Sequence, residues 1–548
     1  MALIQRLPVF LLASFHHEFH IVWNLIYRLN NQKEWSNYLL FHSFFFIFAT
    51  ELLPSNKNKL IIKTKTTCMK DLQMYINGQF CESSNGKWID VLTPSTEEVI
   101  SRQPEGTIED VNRALDAARA AQKSWAKVPA IERAQYLLKF AAGIKAREQE
   151  FTEIIMREQG KTRNWASIEV GATIAYFEYM ATFARHIEGE IIPSDRPNET
   201  ILLTKKPIGV VAGILPWNFP FFLIARKAGA ALIAGCTIVI KPSQLTPENC
   251  TEFAKVVAES GLPAGVINIV TGRGSVIGNE MAGSPKIDIV SVTGSVSAGE
   301  SIMAAASKNI TKVSLELGGK APAIVMKDAD LERAAQWIVD SRIGNNGQIC
   351  NNAERVYVQK EVKAAFTEIL VKKMSAVKVG DPCADASVDM GPLVEQRALE
   401  SVTEKVERAI KQGAKLLCGG HRVGEKGYFY AATVLDNCRQ DMDIIHEETF
   451  GPVIPLVEFE TLDEVIGYAN DCEYGLASSI FTKDLNVAVK ACRELEFGET
   501  YINREHFEAI QGFHAGVKKS GIGGADGKHG VEEYLVTHVT YLDTYEDM

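Results

Sequence analysis

The sequence has no C-x-x-C pair, no excess of basic residues and no apolar run long enough to span a bilayer. Each absence closes a class of function. Its 10 cysteines are scattered from Cys68 to Cys492, a spacing that fits neither a zinc site nor a small disulfide scaffold. No metal is therefore expected, and a reducing compartment, the cytoplasm, is the simpler setting. With 58 basic against 68 acidic residues and a net charge of −10, the chain lacks the basic surface of a nucleic-acid binder. The aromatic run Phe41 to Phe48 reaches Leu53 only across Thr50 and Glu51, short of the roughly 20 apolar residues of a membrane helix. What remains is a soluble globular composition, 46% hydrophobic and 23% charged, over 548 residues. That length predicts two or three domains.

Residues 1–68 differ from the rest. They are rich in aromatics and show no regular alternation of strands and helices. The run Val9 to Phe15 is signal-like, but His16-His17-Glu18-Phe19-His20 follows it in place of a small-residue cleavage site. The expectation is a non-native extension or disordered segment, with translation starting at Met69. The alternative is a membrane-surface or targeting segment. No membrane association is expected for residues 69–548.

From Met69 onward the pattern is that of an α/β protein. Helical spacing runs from Thr107 to Gln159 and again from Glu169 to Ile187. Two β-prone runs flank Pro193 to Pro197, a hairpin signal. Strands at 209–215, 237–241, 266–270 and 287–292 then alternate with helices at 221–234, 247–259 and 275–282. Such alternation predicts a parallel sheet covered on both faces, with ligands bound beyond the carboxyl ends of its strands. A second α/β region spans 319–516. The tail, Tyr534 to Leu542, alternates like an exposed strand. Left unpaired, this tail and the 188–207 hairpin would invite aggregation, which argues for burial between subunits.

Three short segments carry chemistry. Cys350 lies in Gly347-Gln348-Ile349-Cys350-Asn351-Asn352-Ala353-Glu354-Arg355-Val356, on what reads as a glycine turn; alone it would be an ordinary small hydrophobe. Glu316 lies in Leu315-Glu316-Leu317-Gly318-Gly319-Lys320, after an apolar strand. Asn218 lies between prolines in Pro216-Trp217-Asn218-Phe219-Pro220. A thiol nucleophile, an amide to hold an oxyanion and a carboxylate to activate water suffice for acyl chemistry at an aldehyde carbon. Partial burial is expected to raise the Glu316 pKa. Each also has a structural alternative: a loop asparagine, a strand-end acid. Thr293-Gly294-Ser295, opening a helix, suits a pyrophosphate but is weak evidence by itself.

Together these motifs resemble the aldehyde dehydrogenase superfamily, over residues 70–543. The resemblance implies a Rossmann-like cofactor domain (69–187 and 208–318), a second α/β catalytic domain (319–516) and a small β oligomerisation element (188–207 and 530–548). It implies Cys350 as nucleophile, Asn218 in the oxyanion hole and Glu316 as base, hence a free acid as product. It places NAD against Leu215, Trp217, Lys241, Ser243, Gln244, Gly274, Gly294, Ser295, Glu448 and Phe450. Gln244 stands where many NAD-using relatives carry a glutamate that repels a 2′-phosphate, so NADP stays open. The run Tyr501 to Gly516 resembles the branch acting on small 2-hydroxyaldehydes such as lactaldehyde and glycolaldehyde, with Arg226, Glu508 and His514 lining the pocket. Arg226 and His514 each have a structural alternative, a salt bridge and a satisfied loop histidine. Another small aldehyde, such as succinate semialdehyde, and a non-catalytic binding relative are the competing expectations. A homotetramer or homodimer is implied.

Overall fold

A computed structural model describes residues 69–544. The expectations for residues 1–68 lie outside the described residues. Among those described, most strands fall into two large sheets and a small arm sheet.

The first large sheet has five parallel strands at its centre, in spatial order Lys312–Glu316, Ile289–Thr293, Val210–Ile214, Thr237–Lys241 and Ile267–Ile269. Antiparallel strands close both edges: the Met74–Ile76 and Gln79–Cys81 hairpin on one side, Gly521–Ile522 on the other. The central strands are almost wholly buried, as their Val/Ile runs require. The helix Phe222–Ala234 is buried at every position and ends on Gly235 in the left-handed conformation, which lets the chain turn directly into the next strand. A helix that is apolar all round belongs in a core, which makes its two cations, Arg226 and Lys227, conspicuous. The expected helix over 275–282 is more irregular: a wide turn at Gly274–Gly278 leads into a single α-turn, Asn279–Ala282.

The second large sheet runs Lys415–Cys418, Thr433–Cys438, Val453–Phe459, Ala353–Gln359, Ala321–Val325, Ala477–Phe481 and Glu499–Ile502. Its pairs are parallel except the first. The Cys350 segment and the Glu448 motif feed two neighbouring strands of this sheet, Ala353–Gln359 and Val453–Phe459.

The tail corrects one expectation. It is not an unpaired strand. Leu535–Asp543 pairs antiparallel with Glu199–Pro207 over nine positions, and Glu190–Pro193 completes a three-stranded sheet. The hairpin and the tail, whose paired residues lie 328 (Pro207, Leu535) to 344 (Glu199, Asp543) positions apart, satisfy each other's backbone groups. What stays open is the apolar side-chain surface, including Ile191, Tyr541 and Leu542.

Candidate active site

The carboxyl edge of the first sheet collects most of the expected cofactor residues. Leu215, Trp217 and Asn218 follow the strand ending at Ile214; Lys241, Ser243 and Gln244 close the next; Gly294 and Ser295 follow Thr293; Glu316 ends the fourth. Gly274 comes from the loop after Ile269, close enough that a β-carbon there would lie 3.6 Å from the Lys241 ammonium. Lys241 is buried at the strand end, and burial lowers its pKa to about 8. Among the described residues no carboxylate pairs with it. Ser295 caps the helix Val296–Ala306, its hydroxyl accepting from the Ala298 N–H at 3.2 Å. Ser243 instead accepts the Leu245 N–H, and Gln244 uses its carbonyl to hold Gln103. A free buried cation, small residues and a helix N-terminus along one edge fit a dinucleotide phosphate and ribose.

From the facing sheet come Glu448 and Phe450. Phe450 adopts φ 51° and packs edge-on against Trp217, ring centroids 5.5 Å apart. Glu448 accepts the Gly319 N–H at 2.9 Å, and burial, aided by Glu354, pushes its pKa up to about 7. Glu354 supports this loop: it accepts the Thr449 and Phe450 N–H groups and pairs with Lys320 and Arg342, both at 2.8 Å. Glu354 stands four residues after Cys350 in the same run, and its sequence context alone assigns it no task.

Two glycines explain how the Cys350 turn is placed. A β-carbon on Gly319 would come within 2.4 Å of the Cys350 carbonyl oxygen, so only glycine permits that approach. Asn345, Asn346 and Gly347 are left-handed in succession, φ 46°, 61° and 76°, and a side chain on Gly347 would strike the Gly451 backbone. Two consecutive left-handed asparagines are strained, whereas Gly347 takes that conformation freely. Buried hydrogen bonds hold them: Gln159 donates to the Asn345 side chain at 2.8 Å, Asn346 donates to the Pro392 carbonyl, and Gln348 accepts the Val394 N–H. Cys350 therefore sits half-buried on a rigid turn between the last helical turn and the strand Ala353–Gln359. Asn218 is brought to the same turn and spends one amide N–H on the Gln348 carbonyl at 3.1 Å. Its second N–H is available for a substrate oxygen.

Arg226, Glu508 and His514 also converge here. Arg226 donates to Glu508 and to Asp526, both at 2.8 Å, and lies 3.7 Å from Glu316. Glu508 accepts an N–H of the Asn351 amide at 2.7 Å, one residue from Cys350. Burial would raise the Glu508 pKa, but His514 and Arg226 outweigh it and hold it at about 2. His514 is buried, bonded through Nδ1 to Glu499 at 2.7 Å, and its ring faces the Cys350 thiol. Burial lowers its pKa, but Glu499, Glu508 and Cys350 together hold it well above the usual imidazole range. Burial raises the Cys350 thiol, and the neighbouring His514 acts against that rise.

Glu316 is the second correction. Burial does raise its pKa, but Lys227, Arg226 and His514 reverse the effect, leaving it below the ordinary carboxylate value. The sequence expectation counted desolvation and missed the cations of the buried helix. Lys227 is itself lowered to about 8 by burial and donates to Ser291 at 3.0 Å. Lys227, Glu499, Asp526 and Asn351 were all missed. A lysine inside an apolar helix was the available signal for Lys227; nothing local marks Glu499 or Asp526.

A thiol, an amide donor, a buried carboxylate and a dinucleotide edge meeting at one point define the class. Residues 80–540 match the aldehyde dehydrogenase family, and the chain belongs to it. It is 59% identical over 471 residues to lactaldehyde dehydrogenase of Escherichia coli (strain K12), covering 86% of this chain and 98% of that protein. The crystal structure of lactaldehyde dehydrogenase from Escherichia coli superposes with TM-score 0.86 at 58% identity, over 87% of this chain and all of the other. Betaine aldehyde dehydrogenase from Staphylococcus aureus, solved in complex with NAD+, aligns with TM-score 0.85 at 35% identity, over 87% of this chain and 95% of its own.

Proposed function

We propose that this enzyme oxidises a small 2-hydroxyaldehyde, lactaldehyde or glycolaldehyde, to the free hydroxy acid. The observation that carries the proposal is the polar cluster around Cys350. Arg226, Asn351 and His514 are buried, half-buried Glu508 accepts from both Arg226 and Asn351, and His514 is held beside them by Glu499. Such a pocket pays no reward for apolar length, and it rejects an analogue lacking the hydroxyl by leaving its own polar groups unpaired. Arg226 is already neutralised by Glu508 and Asp526, so the second carboxylate of succinate semialdehyde would find no free cation there. The relative of known substrate at 59% identity points the same way.

In this reading Cys350 sulfur adds to the aldehyde carbon. The oxyanion is held by the free N–H of Asn218 and the backbone N–H of Cys350. NAD, when bound along the carboxyl edge, supplies the acceptor for the hydride. Lys241 would hold its adenosine ribose, Gly294 and Ser295 its pyrophosphate, and Glu448 the nicotinamide ribose, with Leu215, Trp217, Ser243, Gln244, Gly274 and Phe450 lining the groove. Gln244 carries no charge to repel a 2′-phosphate, which leaves NADP as a second acceptor. Glu316, ionised at neutral pH, takes a proton from water as that water attacks the thioester. The cofactor and catalytic regions correspond to the two large sheets. The exposed Ile191, Tyr541 and Leu542 of the arm fit a second copy of the chain in a homodimer or homotetramer, and a cytoplasmic setting suits the free cysteines.

The test is NADH production from lactaldehyde, glycolaldehyde, succinate semialdehyde and propanal. The two hydroxyaldehydes should show the highest kcat/KM. A preference for propanal or succinate semialdehyde would overturn the substrate class. An equal or better rate with NADP would overturn the preference for NAD.

A further inference from the structure

We propose that Glu499, with Tyr501 behind it, is a positioning residue that holds His514 as an imidazolium facing Cys350, so that the nucleophile is kept as a thiolate–imidazolium pair. The inference rests on Cys350 being the nucleophile, as read above.

Glu499 opens the strand Glu499–Ile502, at the edge of the second sheet. One of its oxygens meets His514 Nδ1 at 2.7 Å, and the other accepts the Tyr501 hydroxyl at 2.5 Å. The His514 backbone is pinned in turn by reciprocal bonds with Ala525, at 2.9 and 2.8 Å. Ring and carboxylate are thus fixed from both sides. Among the described residues, His514 is the sole ionic partner of Glu499. A carboxylate nearly removed from water needs a cation, and here that cation must be the imidazolium.

The surroundings agree. Acidic groups face the ring from three other directions: Glu508 and Asp526 on loops, and Glu316 at a strand end. The neighbouring cations are committed elsewhere, Arg226 to Glu508 and Asp526, and Lys227 to Ser291 beside Glu316. With Nδ1 on Glu499, the Nε2 side of the ring is left for sulfur.

The chemistry follows without an added reagent. The thiolate pair forms the C–S bond, and the carbonyl π pair moves to oxygen, where Asn218 and the Cys350 N–H receive it. No proton need pass from thiol to Glu316, whose cationic neighbours make it a weak base for that task. The imidazolium keeps its proton. Once sulfur is bonded to carbon it is a poor acceptor, and the ring N–H turns to the substrate hydroxyl. One histidine thereby serves activation first and recognition second.

The test uses the full chain without cofactor or aldehyde. Iodoacetamide alkylation is followed on the Cys350 peptide by mass spectrometry from pH 5.5 to 10. Glu499→Gln should move the midpoint up by about one pH unit, roughly tenfold less thiolate at neutral pH. His514→Asn should move it further, and adding Glu499→Gln to His514→Asn should change nothing more. Tyr501→Phe, which keeps the carboxylate, should give a smaller shift in the same direction and decides the matter if Glu499→Gln does not fold. An unchanged profile in Glu499→Gln or Tyr501→Phe, or a Glu499→Gln shift that persists without His514, would overturn the proposal. Turnover of hydroxyaldehydes with an unmoved alkylation profile would sink this inference alone. A failed substrate panel with the shift present would sink only the substrate reading.

Discussion

The two halves of the site are built differently. On the proposed cofactor side, most residues stand at or just after the end of a strand of the first sheet, and successive strands deliver them in sequence order. On the proposed substrate side, Arg226, Glu499, Glu508, His514 and Asp526 come from four separate stretches and are held by ion pairs between groups 15 to 300 residues apart. The first half is fixed by topology and tolerates a weakly charged edge with one free lysine. The second is fixed by mutual charge, so changing one member alters the others. Asp526 shows the cost: it is fully buried with φ 71° and ψ 160°, a region that ordinary residues avoid, and its carboxylate is anchored on Arg226.

Substitutions can separate the two constructions. The largest effect should come from the hinge between them. Asn218→Ala should lower kcat by about 10²- to 10³-fold with NAD+ affinity unchanged, as read by steady-state kinetics and fluorescence titration. Substrate-side residues should change selectivity. Glu508→Gln should lower kcat/KM for lactaldehyde relative to propanal by roughly 10- to 100-fold, the worth of a charge-assisted hydrogen bond. Equal losses on both aldehydes would mean that Glu508 merely braces Arg226. The smallest effect should lie on the cofactor edge. Burial lowers Lys241 to about 8, so its ammonium is intact below pH 8 and lost above it. The KM for NAD+ should therefore rise a few-fold, on the order of a single hydrogen bond, between pH 7.5 and 9. Lys241→Arg should abolish that rise, because a guanidinium stays charged.

The same contrast decides what was legible in the sequence. Strand-helix alternation gave the parallel sheet, and strand ends gave Lys241, Gly294 and Glu316 their common edge. The hairpin and the tail each carry a strand pattern, but their partners lie 328 to 344 positions apart and the pairing has no local sign. The lowered Glu316 pKa has no sign in its own strand, because Lys227 and Arg226 reach it from a helix about 90 residues earlier. Glu499 and Asp526 escaped notice for a related reason: a lone acid in a loop or at a strand end is ordinary until a buried cation is found opposite it. Arg226, Glu508 and His514 were reached through resemblance, whereas the residues that hold them had to be seen in space.

The central claim is that Cys350 carries the acyl group and Glu316 directs water onto it. The direct measurement is to mix Glu316→Gln enzyme with NAD+ and glycolaldehyde, record NADH, and analyse the Cys350 peptide by mass spectrometry. The account predicts a burst of NADH approaching one equivalent per site, then near arrest, with a thioester on Cys350. Unimpeded turnover, or an acyl group on any other residue, would contradict it.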